Sequence, residues 1–423
     1  MPPGFRATFS SLRNRNLRLY LIAQIGSNVG AWIQITAENW LVLQLSDSGV
    51  ALGITNALQF GPLVVFGLYG GVIVDRIDRH RLLFATQSAL ALLATAIGLL
   101  VITHLIQLWM IWLAALLLGL VMCFDKPALL AFVKDLAGQD DLANAVALNN
   151  AAISSGRMIG PLVSGLLIAA FGSAPSFFIN AVSFAVVVLA LSTMDVTRLH
   201  AGKPVEASPG QVREGLAYVW NDGVLRLTVI AMSAVFVASY NFQVLVPLLT
   251  TRLLSGASAL LGIAMSALGL GAVAGSLLIA SWTRPGSAMI AVTSGVIGIV
   301  HAGLALPLGT PFVLCGLFLL GLSCGLFNVT VTGILQLRTR DDMRGRVMVL
   351  YPIGILGSGL LGAPLAGMLA DRIGMQHTFL IVAAVCLGIA ATTGWIGGRS
   401  SGAAPGRCRS PDPSRRPPGH RTT

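Results

Sequence analysis

The feature that most constrains this chain is a series of apolar stretches, each long enough to cross a lipid bilayer. A membrane-spanning helix needs about 20 predominantly apolar residues, and twelve such stretches follow one another along the 423 residues. They cover residues 17–45, 50–73, 82–103, 107–125, 145–171, 174–194, 224–250, 258–282, 287–306, 311–336, 347–370 and 376–397. Only helices and closed barrels satisfy their backbone hydrogen bonds inside lipid. The sequence therefore predicts an all-α integral membrane protein with twelve transmembrane helices.

The few charged residues predict the orientation of these helices. Only 10% of the residues are charged, whereas an ordinary soluble domain has about 25%. When Lys and Arg are assigned to the segments between the spans, nearly all fall on one side, whereas Arg252 and Arg372 fall on the other and Arg157 lies inside a span. Cytoplasmic segments carry the excess of Lys and Arg, so both termini are expected in the cytoplasm. The net charge of +11 follows from this basic rim and does not indicate a nucleic-acid partner.

A polar stretch near the middle divides the spans into two sets of six. The expected organisation is an N-terminal six-helix bundle, a cytoplasmic linker, a C-terminal six-helix bundle and a disordered cytoplasmic tail, at residues 1–194, 195–223, 224–398 and 399–423 respectively. In the linker, Leu216, Val219 and Trp220 share one side of a helical segment, which predicts a helix lying on the membrane surface. The stretches 165–172 and 367–374 each place a glycine seven residues after another glycine. This weak repeat favours an internal duplication of the two halves.

The loop after the second span is rich in charge, since residues 70–83 read GGVIVDRIDRHRLL. It resembles the signature loop of the major facilitator superfamily, in which a glycine is followed four residues later by Asp-Arg and then by a basic pair. The resemblance implies the fold of that superfamily, two bundles of six helices. It also implies a cytoplasmic gate in which Asp75 meets the N-terminal end of the eleventh helix, near Arg346, when the transporter faces outward; a carboxylate is stabilised there by the helix dipole. The candidate gate residues are Gly71, Asp75, Arg76, Arg79, Arg81 and Asp125.

The shape of this loop and its role both have alternatives. Asp78 stands where the wider superfamily usually has glycine, so the turn is expected to have a different shape. The alternative to a gate is a solvated cluster of charges that only fixes the topology. Asp125 is expected at the cytoplasmic end of the fourth span, where it either pairs with Arg76, Arg79 or Arg81 or serves as a proton-coupling site.

The fifth span carries a second motif, since residues 156–165 read GRMIGPLVSG. It resembles the glycine- and proline-rich motif of superfamily members that export by antiport, and its motif residues here are Gly156, Gly160, Pro161 and Gly165. Further stretches, among them AWIQITAENWLVLQL and RGRVMVLYPIGILG, resemble the branch that contains the enterobactin exporter and the macrolide efflux permeases. The resemblance implies efflux of amphiphilic small molecules of the drug or siderophore class across a bacterial plasma membrane, with protons as the coupling ion and no cofactor.

A proton-coupled carrier needs a carboxylate that gains and loses a proton as access alternates. Ionisable groups inside membrane spans are functional candidates by default, and Glu38 is the only glutamate within a predicted span. It lies on a polar stripe with Gln24, Ser27 and Gln34 at helical spacing, and this stripe is expected to face the central cavity. The alternative is that Glu38 only forms hydrogen bonds with neighbouring helices.

Arg157 falls about a dozen residues into the fifth span, where it must face protein or water because exposure to lipid is costly. It either binds a carboxylate or phenolate of the substrate or forms a structural ion pair with Glu38 or Asp125. The C-terminal half offers aromatic and amide side chains that suit an amphiphilic ligand. The candidates for proton coupling or substrate binding are Glu38, Arg157, Gln34, Tyr240, Gln243 and Asn328.

Three classes of function compete. An exporter explains both motifs, whereas an uptake carrier or uniporter shares the fold but transports without proton exchange. A membrane enzyme needs a cluster of catalytic side chains, but the six histidines are scattered and the sequence has no nucleophile motif or nucleotide-binding loop. The five cysteines show no metal-ligand spacing. We expect a monomeric transporter of a small-molecule substrate, surrounded by membrane lipid, with no nucleic-acid partner, no cofactor and no metal.

Overall fold

The computed structural model describes residues 14–74, 76–137, 141–195, 211–254, 256–279, 286–307 and 309–402. Within these ranges the regular elements are all helical. Ten helical segments are long and apolar enough to cross a membrane, and a shorter apolar helix covers Ala288–Leu304. The first helix is long but more polar, and it packs among the others. Helices occupy all twelve predicted spans, which confirms the predicted membrane fold.

The N-terminal half contains the first six predicted spans. They are α1 (Arg15–Ser46), α2 (Gly49–Val74), α3 (Arg79–Ile102), α4 (Leu108–Ala137), α5 (Leu142–Phe171) and α6 (Ala174–Ser192). The Asn14 side chain accepts the backbone N–H groups of Asn16 and Leu17 and so caps α1. The same side chain donates to the carbonyl of Leu136 at 2.8 Å, which ties the start of α1 to the end of α4. α1 packs against α5 and α6, α2 against α4, and α3 against α6.

The C-terminal half follows a linker helix, α7 (Gln211–Asn221). Its membrane part consists of α8 (Gly223–Ser239), α9 (Phe242–Leu248), α10 (Ser258–Ile279), α11 (Ser287–Leu304), α12 (Thr310–Arg338), α13 (Asp341–Met348), α14 (Leu350–Gly357), α15 (Ala363–Ile373) and α16 (Met375–Gly402). π-Helical turns at Leu249–Leu253 and Ser358–Gly362 continue α9 and join α14 to α15. α10 and α12 pack closely, since a Cβ on Gly275 would overlap the carbonyl oxygen of Leu322. Small residues let membrane helices approach in this way.

Two predicted span boundaries were wrong. α4 continues beyond the predicted end at residue 125, because Ala128, Phe132 and Leu136 are buried along one side of the added turns. The eleventh segment begins at Asp341, before the predicted start near Arg346. Acidic residues in the first turn of a helix are favoured by its dipole, so the start at Asp341 has a local cause.

The seventh predicted span is interrupted in the structure. α8 ends at Ser239 and α9 begins at Phe242, which leaves Tyr240 and Asn241 between them. The side-chain amide of Asn241 donates to the carbonyl of Val237 at 2.6 Å. In a continuous helix that carbonyl would accept the backbone N–H of residue 241, so the side chain competes with the helix for its own acceptor.

The surface helix of the linker and the disordered C-terminal tail were predicted from the sequence. α7 covers the segment predicted to lie on the membrane surface; its Leu216 and Trp220 are exposed, whereas Val219, on the same predicted side, is fully buried. Helix α16 continues to Gly402, past residue 399 where the disordered tail was expected to begin. Residues 196–210 and 403–423 lie outside the described residues.

The two ends of the helix bundle differ in charge. We call the end that carries Arg15, Arg79 and Arg338 the basic face, and the end that carries Arg252 and Asp371 the opposite face. The two halves pack through α5 against α10 and through α2 against α14 and α15. Among the described residues, the hydrogen bonds that join the halves lie at the opposite face. The halves are therefore held together at that end.

Candidate functional site

The predicted gate loop joins α2 to α3 at the basic face. Asp75, its central carboxylate, lies outside the described residues. Gly71 lies in the last turn of α2, and Arg76 is exposed in the turn that follows. Arg346, near which the facing helix was expected to begin, lies inside α13, and its Nη1 atom is 2.8 Å from a carboxylate oxygen of Glu214 in α7. In this conformation Arg346 therefore binds a partner on the linker helix.

Asp78 and Arg79 fix the start of α3. Asp78 accepts the backbone N–H groups of His80 and Arg81 at 2.9 and 3.2 Å, so an aspartate caps the helix where the superfamily usually has glycine. The Nη1 atom of Arg79 lies 2.9 and 3.0 Å from the two carboxylate oxygens of Asp135 in the last turn of α4. Asp135 was not among the predicted site residues, because the fourth span was predicted to end at residue 125. The apolar positions that continue α4 were the signal that would have revealed it.

Asp125 lies inside α4 and is 2% exposed. Its Oδ1 atom accepts the hydroxyl of Thr86 at 2.7 Å and the side-chain amide of Gln87 at 2.8 Å. Of the two alternatives for Asp125, the ion pair with Arg76, Arg79 or Arg81 is not formed in this structure, and the proton-coupling role stays a prediction. The continuation of α4 carries Asp125 away from the loop and brings Asp135 to it instead.

The polar stripe on α1 does not line the space between the halves. Gln34 accepts the side-chain amide of Asn180 in α6 at 2.7 Å, and Ser183 donates to Asn180 at 3.0 Å. Glu38, one turn further along α1, is 6% exposed. Gln24 and Ser27 are also buried. The prediction that the stripe faces the cavity was wrong, because α1 packs against α5 and α6 and turns this side into its own half.

Arg157 occupies the middle of α5, deep in the bundle, yet its side chain is exposed. Its guanidinium carbon lies 5.2 Å from the centre of the Trp32 ring, a cation–π distance. Tyr240 and Tyr351 of the C-terminal half are close enough to interact with it electrostatically. Within the described part of the chain no carboxylate lies within ion-pair distance of Arg157. The predicted alternative of a structural pair with Glu38 or Asp125 is not formed here.

Tyr240 and Tyr351 belong to an aromatic cluster in the C-terminal half. The Phe236 ring is central, with centroids 4.5 Å from Tyr240, 5.9 Å from Tyr351 and 6.1 Å from Phe327. The Tyr240 hydroxyl donates to the carbonyl of Cys324 in α12 at 2.8 Å. Tyr240 is thus fixed at the interruption between α8 and α9, and such discontinuous membrane helices commonly border transport sites.

Gln243 and Asn328, the other predicted wall residues, are both half-buried. Gln243 follows the interruption, in α9, and Asn328 lies in α12. The Oδ1 atom of Asn328 is buried without a hydrogen-bond partner. An unpaired buried amide oxygen is costly, so this atom is a candidate contact for a hydrogen-bond donor.

The antiport-like motif packs α5 against two helices. A Cβ on Gly156 would lie 2.6 Å from the carbonyl oxygen of Asn28, and one on Gly160 would lie 2.5 Å from Cβ of Trp32. These two glycines let α5 approach α1, which places Arg157 over the Trp32 ring. The other end of the motif, at Pro161 and Gly165, contacts Gly262 of α10 in the other half.

The arrangement offers one cation, with the Trp32 ring on one side and Tyr240 and Tyr351 of the other half near it. Among the residues that the structure describes, no group of three or more His, Cys, Asp or Glu side chains is placed to hold a metal ion. These groups suit non-covalent binding of a molecule that is partly apolar and partly anionic.

Comparison with known proteins identifies the family of this chain and several of its relatives. Residues 6–396 match the model of the family described as transmembrane secretion effector. The multidrug efflux pump Tap of Mycolicibacterium fortuitum is 30% identical over 387 residues, which cover 86% of this chain and 91% of that protein. The staphyloferrin A transporter of Staphylococcus aureus is 26% identical over 373 residues, covering 85% of this chain and 91% of that protein.

Two solved structures show the same fold at low identity. A bacterial homologue of the human lysosomal transporter Spinster, in an inward-facing and unoccupied conformation, aligns with a TM-score of 0.74 at 12% identity, covering 92% of this chain and 97% of that one. The nucleoside transporter NupG aligns with a TM-score of 0.71 at 15% identity, covering 90% and 99%. Since the family model spans almost the whole chain, this protein belongs to the transmembrane secretion effector family of the major facilitator superfamily and is a multi-pass membrane transporter, not an enzyme.

Proposed function

We propose that this transporter exports amphiphilic small molecules that carry an anionic or phenolic group, by alternating access and proton-coupled antiport. The observation that carries the proposal is Arg157, a guanidinium in the middle of the bundle with a ring beneath it and no carboxylate at ion-pair distance among the described residues. A cation at membrane depth is costly, and a cation–π contact offsets only about 1 kcal/mol. A carboxylate or phenolate of the cargo would supply the missing charge, and the guanidinium fork binds such groups through two hydrogen bonds.

The apolar part of the cargo is assigned to the aromatic cluster. Tyr240 and Tyr351 are partly exposed and offer ring faces and edges, packed against the fully buried ring of Phe236; such rings bind apolar bodies of varied shape through many weak contacts. Relatives described as a multidrug efflux pump and a staphyloferrin A transporter support a small-molecule cargo of the drug or siderophore class.

The orientation follows from charge. We place the basic face and both termini in the cytoplasm, since Lys and Arg concentrate on the cytoplasmic side of membrane proteins. The hydrogen bonds between the described residues of the two halves lie at the opposite face. The conformation is accordingly interpreted as one in which Arg157 is reached from the cytoplasm, where an exporter collects its cargo.

Proton coupling is assigned to the buried carboxylates of the N-terminal half. Glu38 and Asp125 are 6% and 2% exposed, and the hydrogen-bond partners described for Asp125 are the uncharged side chains of Thr86 and Gln87. Ionisable groups buried inside membrane spans are functional candidates by default. We therefore assign the exchanged proton to one of these two carboxylates.

The gate loop has a role in the outward-facing state. We propose that Asp75 then meets the N-terminus of α13, where the helix dipole stabilises a carboxylate. Asp75→Asn is expected to abolish most transport while membrane insertion, measured by the amount of folded protein, stays normal. Wild-type transport by a well-folded Asp75→Asn variant would contradict the gate and favour a purely topological role.

Transport by the purified protein in liposomes tests the function. The cargo is an amphiphilic aryl carboxylate, and its primary amide is the control of equal size. We expect the carboxylate to accumulate against its gradient when a pH gradient is imposed, whereas the amide is moved poorly. Equal transport of both compounds would refute the role of Arg157. Equilibration that ignores the pH gradient would favour a uniporter or uptake carrier. Light scattering of the same sample is expected to show a monomer.

A further inference from the structure

The opposite face carries an ionic cluster that the proposed function does not use. Asp371, near the end of α15, accepts the backbone N–H of Gly49 at 2.8 Å and that of Val50 at 2.9 Å. It also accepts the hydroxyl of Ser48 at 2.8 Å. These donors form the N-terminus of α2, which lies in the other half of the protein. One carboxylate of the C-terminal half therefore caps a helix of the N-terminal half.

Arg252 completes the cluster from the π-helical turn that follows α9. Its Nη2 atom lies 2.8 Å from Oδ1 of Asp371 and donates to the carbonyl of Asp47 at 2.7 Å. Its Nη1 atom donates to the carbonyl of Ala370 at 3.3 Å. Arg252 thus links the end of α1 to the end of α15, and charge-assisted hydrogen bonds of this kind are stronger than neutral ones.

The backbones beneath the cluster are in direct contact. A Cβ on Gly367 would overlap the carbonyl oxygen of Gly49, and one on Gly49 would lie 2.8 Å from the carbonyl oxygen of Gly367. α2 and α15 can therefore close fully only while both positions are glycine. The charged cluster and the close contact lie within one turn of each other along α15.

The sequence around this cluster repeats the spacing of the gate loop. Gly367 and Asp371 are separated by three residues and are followed by Arg372, as Gly71 and Asp75 are followed by Arg76. The first glycine–aspartate pair belongs to the end of α15, and the second to the end of α2. In the sequence, Asp75 directly follows α2, which ends at Val74, and Asp371 lies in the last turn of α15; α2 and α15 pack against each other across the two halves.

We propose that Asp371 and Arg252 hold the opposite face closed, as the counterpart of the gate assigned to Asp75 at the basic face. Asp371 caps α2 when the transporter opens to the basic face, and release of this cap lets the opposite face open. The two gates then exchange roles: Asp371, near the end of the eleventh span (α13 to α15), caps the start of α2, and Asp75, which follows α2 in the sequence, meets the start of the same eleventh span. This inference rests on the alternating-access part of the proposed function, and it does not depend on the cargo or on protons.

Distances between spin labels test this gate, in protein whose five native cysteines are replaced by alanine. One label pair, at Phe171→Cys and Leu306→Cys, spans the opposite face, and another, at Ser192→Cys and Leu337→Cys, spans the basic face. All four positions are exposed. Pulsed electron resonance in nanodiscs reports both distance distributions without any cargo.

We expect Asp371→Asn to raise the population with a wide opposite face by about tenfold or more, since hydrogen bonds to a charged group are lost. Asp371→Arg places a second cation beside Arg252 and is expected to raise the population with a wide opposite face further. The distance at the basic face shortens in the same samples, whereas partial unfolding would lengthen both. Arg372→Gln, at the exposed neighbouring residue, is the matched control and leaves both distributions unchanged.

Unchanged distances in Asp371→Asn and Asp371→Arg would overturn the proposed gate. Widening at both faces would overturn it as well, because the cluster would then only stabilise the fold. The result is independent of the transport assay: distances that respond as expected while wild-type export ignores the pH gradient refute proton coupling and leave the gate standing. Proton-driven export with unresponsive distances refutes the gate and leaves the proposed function standing.

Discussion

Replacing Arg157 separates a cargo-binding role from a structural one. In Arg157→Met the cargo anion loses hydrogen bonds to a charged donor, which contribute about 1.5–3 kcal/mol, so the Kd of an anionic cargo is expected to rise by about 10- to 100-fold. Arg157→Lys keeps the charge but loses the planar fork above Trp32 and is expected to lie between Arg157→Met and the wild type. The Kd of the uncharged amide analogue changes little in either variant.

Thermal stability, unlike cargo affinity, is not expected to fall when Arg157 is replaced. A member of a buried ion pair cannot be removed without leaving its partner charged and alone, at a cost of about 3–5 kcal/mol. No such partner is seen for Arg157 among the described residues, so Arg157→Met is expected to unfold at the same temperature as the wild type or higher.

Equilibrium binding of labelled cargo to detergent-purified protein gives the Kd, and thermal unfolding gives the stability. Arg18→Met, at an exposed position near the start of α1, is the matched control and keeps both values. Wild-type affinity for the anionic cargo in Arg157→Met and Arg157→Lys would refute the reasoning, as would a large loss of stability with unchanged affinity.

Two further predictions concern the fold around the site. Arg79→Gln and Asp135→Asn are each expected to lower the free energy of unfolding. Because they remove the same pair, the double variant loses less than the sum, by a coupling energy of about 1–3 kcal/mol; additive losses would contradict the pairing. Gly275→Leu forces a side chain against the carbonyl of Leu322 and is expected to cost about 1–3 kcal/mol or more. Gly388→Leu, where a Cβ meets nothing within 4 Å, is its control, and equal unfolding temperatures would refute the close packing.

The membrane fold was predictable because apolar length and Lys and Arg placement act residue by residue along the chain. The predicted span boundaries were wrong where local interactions, and not hydropathy, determine the end of a helix. α4 runs on through Asp125 because one apolar side remains buried, and the eleventh segment starts early because Asp341 and Asp342 suit a helix N-terminus. The break at Asn241 depends on a side chain that takes a backbone acceptor, which hydropathy does not register.

The candidate site was predictable in its residue types but only partly in its geometry. Arg157 stood out because it is a cation within a span, and the structure leaves it unpaired among the described residues. The stripe that contains Gln34 and Glu38 has the spacing expected of a helix face, but spacing does not say which neighbour that face meets. The contact of Gln34 with Asn180 joins residues far apart in the chain, and such pairings follow only from the packed fold.

Proton-driven export is tested most directly by measuring whether liposomes that contain the protein need an imposed pH gradient to accumulate cargo. Wild-type protein is expected to drive uphill transport of the anionic cargo only when the gradient is imposed. Glu38→Gln is expected to keep exchange of cargo for cargo and to lose the uphill component, whereas loss in Asp125→Asn alone would move the coupling site to α4. Uphill transport that persists in Glu38→Gln, in Asp125→Asn and in the double variant, or wild-type transport that never responds to the gradient, would contradict the account.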